Sequence, residues 1–276
     1  MAAAARRVKC GVCLQEHQTH AGLFKTDSRK RFRLRNNLME SAINHIIYSL
    51  EGQLWEEICA GVTELNDFLA LLVPYVATAR NSLTKHPSLA RFLALQDGFQ
   101  HNLASRLLCV YRYTKVDNIQ GEKYMEIILM TNRLLQGLLL LHPDSRLVFS
   151  SASNMQCVLQ FVGRKDLPLG LMVLFVSTLI HILLKNSKNM RQFEQLNGCT
   201  AVIQHLALLS LTEAPQEHLQ QQELNFKIIE FLLFYFIDES PLPPPRLSTA
   251  QKIELFRPGF SHIDVLVRNL DDLRAV

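Results

Sequence analysis

The 276-residue chain lacks nearly every pattern that chemistry on a substrate requires. Its 11 glycines are scattered, so no glycine cluster opens a helix to cradle a phosphate with backbone amides. No G-x-S-x-G stretch is present to present a serine nucleophile on a tight turn. A cysteine phosphatase needs an arginine six positions after its cysteine to clamp the phosphoryl oxygens; Cys157 is followed there by Gly163, Arg164 comes one residue late, and no other cysteine fits. His45, His181 and His205 have no carboxylate or cysteine at helical spacing, which makes them expected core histidines rather than acids or bases. No cofactor motif is found, and the expected class is a non-catalytic interaction protein.

Other absences bound the fold and the compartment. No period-two alternation bounded by Asn-Gly or Asp-Gly turns appears, which argues against hairpins. Of the six cysteines, Cys59, Cys109, Cys157 and Cys199 stand singly in apolar segments, the usage of reduced, buried thiols rather than of a secreted disulfide framework. With no secretory signal at the start, cytosol or nucleus is the expected location. The segment 167–184, "LPLGLMVLFVSTLIHILL", carries no formal charge over eighteen residues. It is at the lower limit of a membrane span, and Pro168, Gly170, Ser177, Thr178 and His181 dilute it. The inner helix of a helical array is apolar all round in the same way, and no span is expected.

What is present is divided unevenly. Residues 1–36 carry nine basic side chains, Arg6, Arg7, Lys9, Lys25, Arg29, Lys30, Arg31, Arg33 and Arg35, against Glu16 and Asp27, a net of +7. The remaining 240 residues then hold 20 basic and 23 acidic groups, a net of −3, so the overall +4 belongs to the tail. Like charges with few apolar groups resist compaction, and a disordered tail is expected there. It includes Cys10, Cys13, His17 and His20, the right residue types for zinc. Only three residues separate the pairs, against about twelve or more in the usual two-Cys, two-His site, so a metal is disfavoured.

Residues 37–276 read as all-α. Ile43, Ile46, Ile47 and Leu50, then Leu54, Ile58, Val62, Leu65 and Leu69, recur at helical spacing. Three stretches align on a phenylalanine: "HPSLARFLALQDGFQHNLASRLL", "HPDSRLVFSSASNMQCVLQFV" and "NSKNMRQFEQLNGCTAVIQHL", with Phe92, Phe149 and Phe193. After each comes a short gap closed by Gly98, Asn154 or Gly198, residues that tolerate the positive φ of a helix corner. The phenylalanines lie 57 and 44 residues apart, and "YRYTKVDNIQGEKY" supplies the insertion in the first interval. This is the logic of an armadillo/HEAT-like repeat array, in which stacked helix sets bury one continuous core. A polyproline connector near 239–248, "DESPLPPPRLSTAQ", cannot be helix, and a Ser- or Thr-capped helix and a last amphipathic helix follow it.

On "ELNFKIIEFLLFYFID", Glu223, Lys227, Glu230 and Asp238 form a polar stripe expected to face solvent, with Ile228, Phe231, Leu232 and Tyr235 inward. Phe234 interrupts the stripe. Either the final helix folds back over the connector to bury it, or Lys227, Glu230 and Phe234 belong to a partner-binding surface.

At "LLLLHPDSRLVF", "MRQFEQLNGCTAVI" and above all "FKIIEFLLFYFIDESP", the chain resembles the cell division control protein 14 family, the septation initiation network component, which is distinct from the phosphatase of similar name. The resemblance covers about residues 37–276 and includes the closing "AQKIELF" and "LVRNLDDLR"; residues 1–36 depart from it. It implies an armadillo-like, non-catalytic subunit that binds a germinal-centre-type protein kinase, supports its activity, and acts from the cytoplasm at the spindle pole body to trigger septation. The competing expectation is an armadillo-type adaptor that holds nucleic acid or an import cargo through the basic tail. Salt separates the two, because binding through tail charges weakens steeply as ionic strength rises.

Overall fold

A computed structural model describes residues 38–79, 83–114, 121–207 and 215–274, and all regular structure among them is helical. The helices are α1 (38–50), α2 (Trp55–Ala70), α3 (Val73–Thr78), α4 (Pro87–Gln96), α5 (Leu103–Tyr113), α6 (Glu122–Leu141), α7 (Ala152–Val162), α8 (Leu169–Leu183), α9 (Ser187–Gln195), α10 (Gly198–Ile203), α11 (Pro215–Tyr235), α12 (Thr249–Phe256) and α13 (Ile263–Arg274). A 3₁₀ helix, Pro143–Ser150, lies between α6 and α7. Residues from His45 onward form one compact unit, and 38–44 contribute the opening turns of α1. The basic tail, with Cys10, Cys13, His17 and His20, lies outside the described residues.

Local chemistry sets several of the boundaries. Asn102 and Asn186 cap α5 and α9 by accepting the backbone N–H three residues on, and Ser248 with Gln251 makes a reciprocal capping box at α12. Pro143 follows directly on the end of α6, where a proline ring would clash with the preceding helical turn.

The helices recur in sets of three whose last member is the longest: α4, α5, α6; then the 3₁₀ helix, α7, α8; then α9, α10, α11. The long helices α6, α8 and α11 pack in that order, the second members α5, α7, α10 and then α12 follow one another, and the 3₁₀ helix packs on α9. Phe92, Phe149 and Phe193 sit one on the first member of each set, and all three are fully buried. Each set leaves an apolar face that only its neighbour covers, and burying a side chain of this size is worth roughly 1.5–3 kcal/mol. Tyr111, Phe161 and Phe175 meet between the first and second sets, and Phe193, Phe231, Tyr235 and Phe256 at the far end.

The small residues after each phenylalanine serve a different purpose from the expected one. Gly98 has φ −78°, and Asn154 is already inside α7. The left-handed residue at the third corner is Asn197, at φ 59°. Gly198 is needed for closeness, since a Cβ there would stand 2.3 Å from the Phe193 ring.

Helix α8 has fifteen residues, short of the roughly 20 a membrane span needs, and it is covered by α6 and α11. By length and hydropathy alone Trp55–Thr78 and Lys123–Leu141 reach the size of a span.

Candidate functional site

Helix α11 presents the two faces its periodicity predicts. Ile228, Phe231, Leu232 and Tyr235 are fully buried, while Glu223, Glu230 and Asp238 are exposed. Lys227 is half-buried and donates to Glu230 Oε2 at 2.6 Å, so these two candidate residues neutralise each other one helical turn apart. An exposed aromatic that the sequence reading passed over shares this side of the helix: Phe226 is 61% exposed, three residues after Glu223 and four before Glu230. That spacing was the available signal.

Phe234 lies one turn beyond Glu230 on the same side of α11, but neither Lys227 nor Glu230 lines the groove next to it. It is half-buried, its ring meets Phe231 edge-on at 6.3 Å, and it lines a groove of about 410 Å3. The groove runs between the α8–α9 corner and the start of the proline connector, and its apolar walls are Leu184, Met190, Phe234, Ile237, Pro241 and Leu242. Ile237 is 58% exposed at the end of α11. The connector itself, through Pro241 and Leu242, flanks the ring in place of the final helix, since α13 packs on α12.

A buried ionic lattice fixes the connector that forms one wall of the groove. Glu239 is 1% exposed and uses both carboxylate oxygens. Oε1 accepts from Arg191 Nη2 at 2.9 Å and pairs with Lys252 Nζ at 2.9 Å; Oε2 accepts from Arg191 Nη1 at 3.0 Å and the Leu247 amide at 3.1 Å. Lys252, also 1% exposed, donates to the carbonyls of Tyr235 at 2.7 Å and Ile237 at 2.8 Å, the orphan acceptors at the end of α11. Arg191 also reaches Glu194 at 2.6 Å, and the Tyr235 hydroxyl donates to the same carboxylate. Burial pushes the Glu239 carboxyl up, but the hydrogen bonds from Arg191 and Lys252 outweigh it and hold the group below its ordinary value. Desolvation of Glu239 is thus offset by partners on both its oxygens, although the buried Arg191 Nε is left without one.

Other groupings look chemical in outline. Asp97, His142 and Asp144 are the metal-ligand residue types gathered together among the described residues. Asn102 is oriented by the Ser105 amide on its oxygen, so its nitrogen donates to Ser145 Oγ at 2.8 Å. Ser145 can then donate to His142 Nδ1 at 2.8 Å, and His142 Nε2 donates to Asp97 at 2.9 Å. This relay spends both ring nitrogens on the protein, and Ser145 is only 2% exposed, so its hydroxyl has no approach path for an electrophile. It ties the end of α4 to the end of α6. Burial pushes the Cys199 thiol up to about 12, which keeps it protonated and unreactive. His181 Nδ1 donates to the Ser177 carbonyl, 2.8 Å away, and His205 Nε2 to the Val162 carbonyl, 2.6 Å away; His45, also expected in the core, is instead exposed and lies 3.0 Å from Glu64 Oε2.

Residues 70–252 match the model of a family described as cell division control protein 14, SIN component. That span contains the three helical sets and the groove. A relative from the fission yeast Schizosaccharomyces pombe, named cell division control protein 14, is 27% identical over 158 residues, which cover 54% of this chain and 60% of that protein. The match therefore spans less than two thirds of the relative's length. No solved structure is similar to the chain.

Proposed function

The chain belongs to the cell division control protein 14, SIN component family, and from that premise we propose that it is a non-catalytic subunit of the septation initiation network that binds a germinal-centre-type protein kinase and supports its activity. The family match over 70–252 carries this reading, because it falls on the stacked helices and the groove together. The recurrence of three-helix sets, each ending in a long helix packed on the next, favours an armadillo-like array from 37 to 276, with residues 1–36 as a separate basic appendage. Its place of action on this reading is the spindle pole body, reached from the cytoplasm. The family is distinct from the phosphatase of similar name, and the arginine spacing after Cys157 agrees with that distinction.

On this reading Phe234, with Lys227 and Glu230, belongs to the kinase-binding surface, and the groove that Phe234 lines supports that choice. Copurification from cells tests the reading. The expected result is a kinase recovered in stoichiometric amount whose activity falls when the chain is removed, and whose recovery drops in Phe234→Ala while the melting temperature changes little. Recovery of no kinase, or a kinase equally active alone, would overturn it. The +7 tail gives the nucleic-acid adaptor its one supporting observation; it would be favoured if the captured partner were released steeply between low and high salt.

A further inference from the structure

The groove at the end of α11 is built, charged on its rim and open. Its apolar walls, named above, enclose about 410 Å3, within the range of pockets that bury a ligand side chain. Its connector wall is held from behind by Glu239, Arg191 and Lys252, so an arriving segment need not order that wall. Its opposite wall includes Lys185, exposed and at φ 54°, a left-handed backbone that side-chain-bearing residues occupy at a cost. The strained corner points a lysine, where glycine would be easier, to the groove edge.

The charges around this opening are not balanced. Lys185, on the α8–α9 corner, is exposed, lines the groove and forms no ion pair among the described residues. Arg246, beyond the proline run, donates among the described residues to the Leu242 carbonyl of the groove wall. Against these two cations stands the exposed Asp238, which also accepts the Ser240 amide at 3.1 Å. Glu239, though it lines the groove, is neutralised by Arg191 and Lys252. An apolar slot with an uncompensated basic rim selects an apolar side chain flanked by carboxylates, and penalises one flanked by lysine or arginine.

We propose that this groove docks a short partner segment in which an apolar anchor, seated against Phe234, Ile237 and Leu242, is flanked by acidic side chains that meet Lys185 and Arg246. This deepens the kinase-subunit reading and rests on it for the partner's identity, but the chemistry of recognition stands on the groove alone. A segment of this kind would bind with modest salt sensitivity from its rim contacts, while the anchor sets how long it stays.

The test begins without any assumed partner. A random twelve-residue peptide display library is selected on the full chain, and selected peptides are measured by fluorescence anisotropy. The expected consensus is an apolar residue with Asp or Glu nearby, weakened about tenfold or more by Ile237→Asp and several-fold by Lys185→Glu. Both positions are exposed, so unchanged melting curves will confirm that the variants fold. A basic consensus, no enrichment, or peptides that bind Ile237→Asp as well as the unaltered chain would overturn the proposal. Adding a selected peptide to the copurified kinase complex then separates the two readings. Displacement places the kinase in the groove, whereas a groove-specific acidic peptide that leaves the kinase bound sustains the docking chemistry and moves the kinase elsewhere.

Discussion

Between α6 and α8, polar groups are buried without charge: Thr178 donates to Asn132 Oδ1 at 2.7 Å and receives from Gln136 at 3.0 Å. At the far end of the same stack, Glu239 and Lys252 are buried as ions and, with the half-buried Arg191, hold an irregular, proline-rich segment against α9 and α12. The central contact is helix on helix, where backbone groups are already satisfied and a few neutral bonds fix the register. The connector has no ladder of its own, so its backbone and the orphan carbonyls ending α11 need strong donors from outside. Charge is concentrated where regular structure runs out. A buried ion pair adds little over apolar packing but is expensive to break, which makes it suited to fixing a single position of the groove wall.

The largest expected effect breaks the ionic side of this contrast. Lys252→Ala removes the donor to two carbonyls and leaves Glu239 with one partner fewer, and should cost about 3–5 kcal/mol in chemical denaturation. A loss under about 1 kcal/mol would mean that water replaces the ammonium and the corner is not closed.

Acid should act on the same corner. The folded Glu239 titrates below its unfolded value, so its contribution is complete above the unfolded pKa and disappears as pH falls through the folded one. The melting temperature should therefore drop between about pH 5 and pH 3, and Glu239→Gln, already less stable at neutral pH, should show a shallower drop. Parallel curves for the two proteins would assign the acid sensitivity to other carboxylates.

Thr178→Val tests the neutral side. The change keeps shape but leaves Asn132 Oδ1 buried without its donor, for a cost of about 1–3 kcal/mol by urea denaturation and no change in acid sensitivity. If it costs as much as Lys252→Ala, the distinction between the two contacts collapses.

How much of this was legible in the sequence follows from distance along the chain. The helical class, the three buried phenylalanines, the Ser248 cap and the inward face of α11 all depend on spacings under about eight residues, and periodicity carries them. Lys252 sits in "STAQKIELF" like any surface lysine; its partners are Glu239, in a proline-rich stretch, and the end of α11, and Arg191 joins from 48 residues before Glu239. No local pattern announces that. The corner residues failed for a related reason: Gly98, Asn154 and Gly198 suggested a shared backbone need, but the need at Gly198 comes from the Phe193 ring packed against it. Phe234 stands out in the sequence as an aromatic among charges, but the segment that flanks it is the connector, whose path depends on the ionic lattice. The metal-ligand cluster of the tail falls outside the described residues, while the one among the described residues joins Asp97 to His142, 45 positions later, and to Asp144, and gave no sequence signal.

The smallest expected effect sharpens the contrast from the exposed side. Lys227 and Glu230 form an ion pair of good length, 2.6 Å, but Glu230 is 58% exposed at its side chain and the two are one turn apart on the same helix. In that setting Coulomb attraction is screened by water and opposed by the entropy of holding two long side chains, and such pairs are worth about 0.3–0.5 kcal/mol. Lys227→Ala should therefore lower stability by no more than that, and less still in high salt, while Lys252→Ala should remain costly at any salt concentration because its ions are dry. The same substitution probes the flank of the proposed kinase surface: since Lys227 already spends its charge on Glu230, its removal should weaken kinase capture far less than Phe234→Ala. A stability loss above about 1 kcal/mol for Lys227→Ala, or a capture defect equal to that of Phe234→Ala, would move the centre of the surface from the groove to the charged stripe of α11.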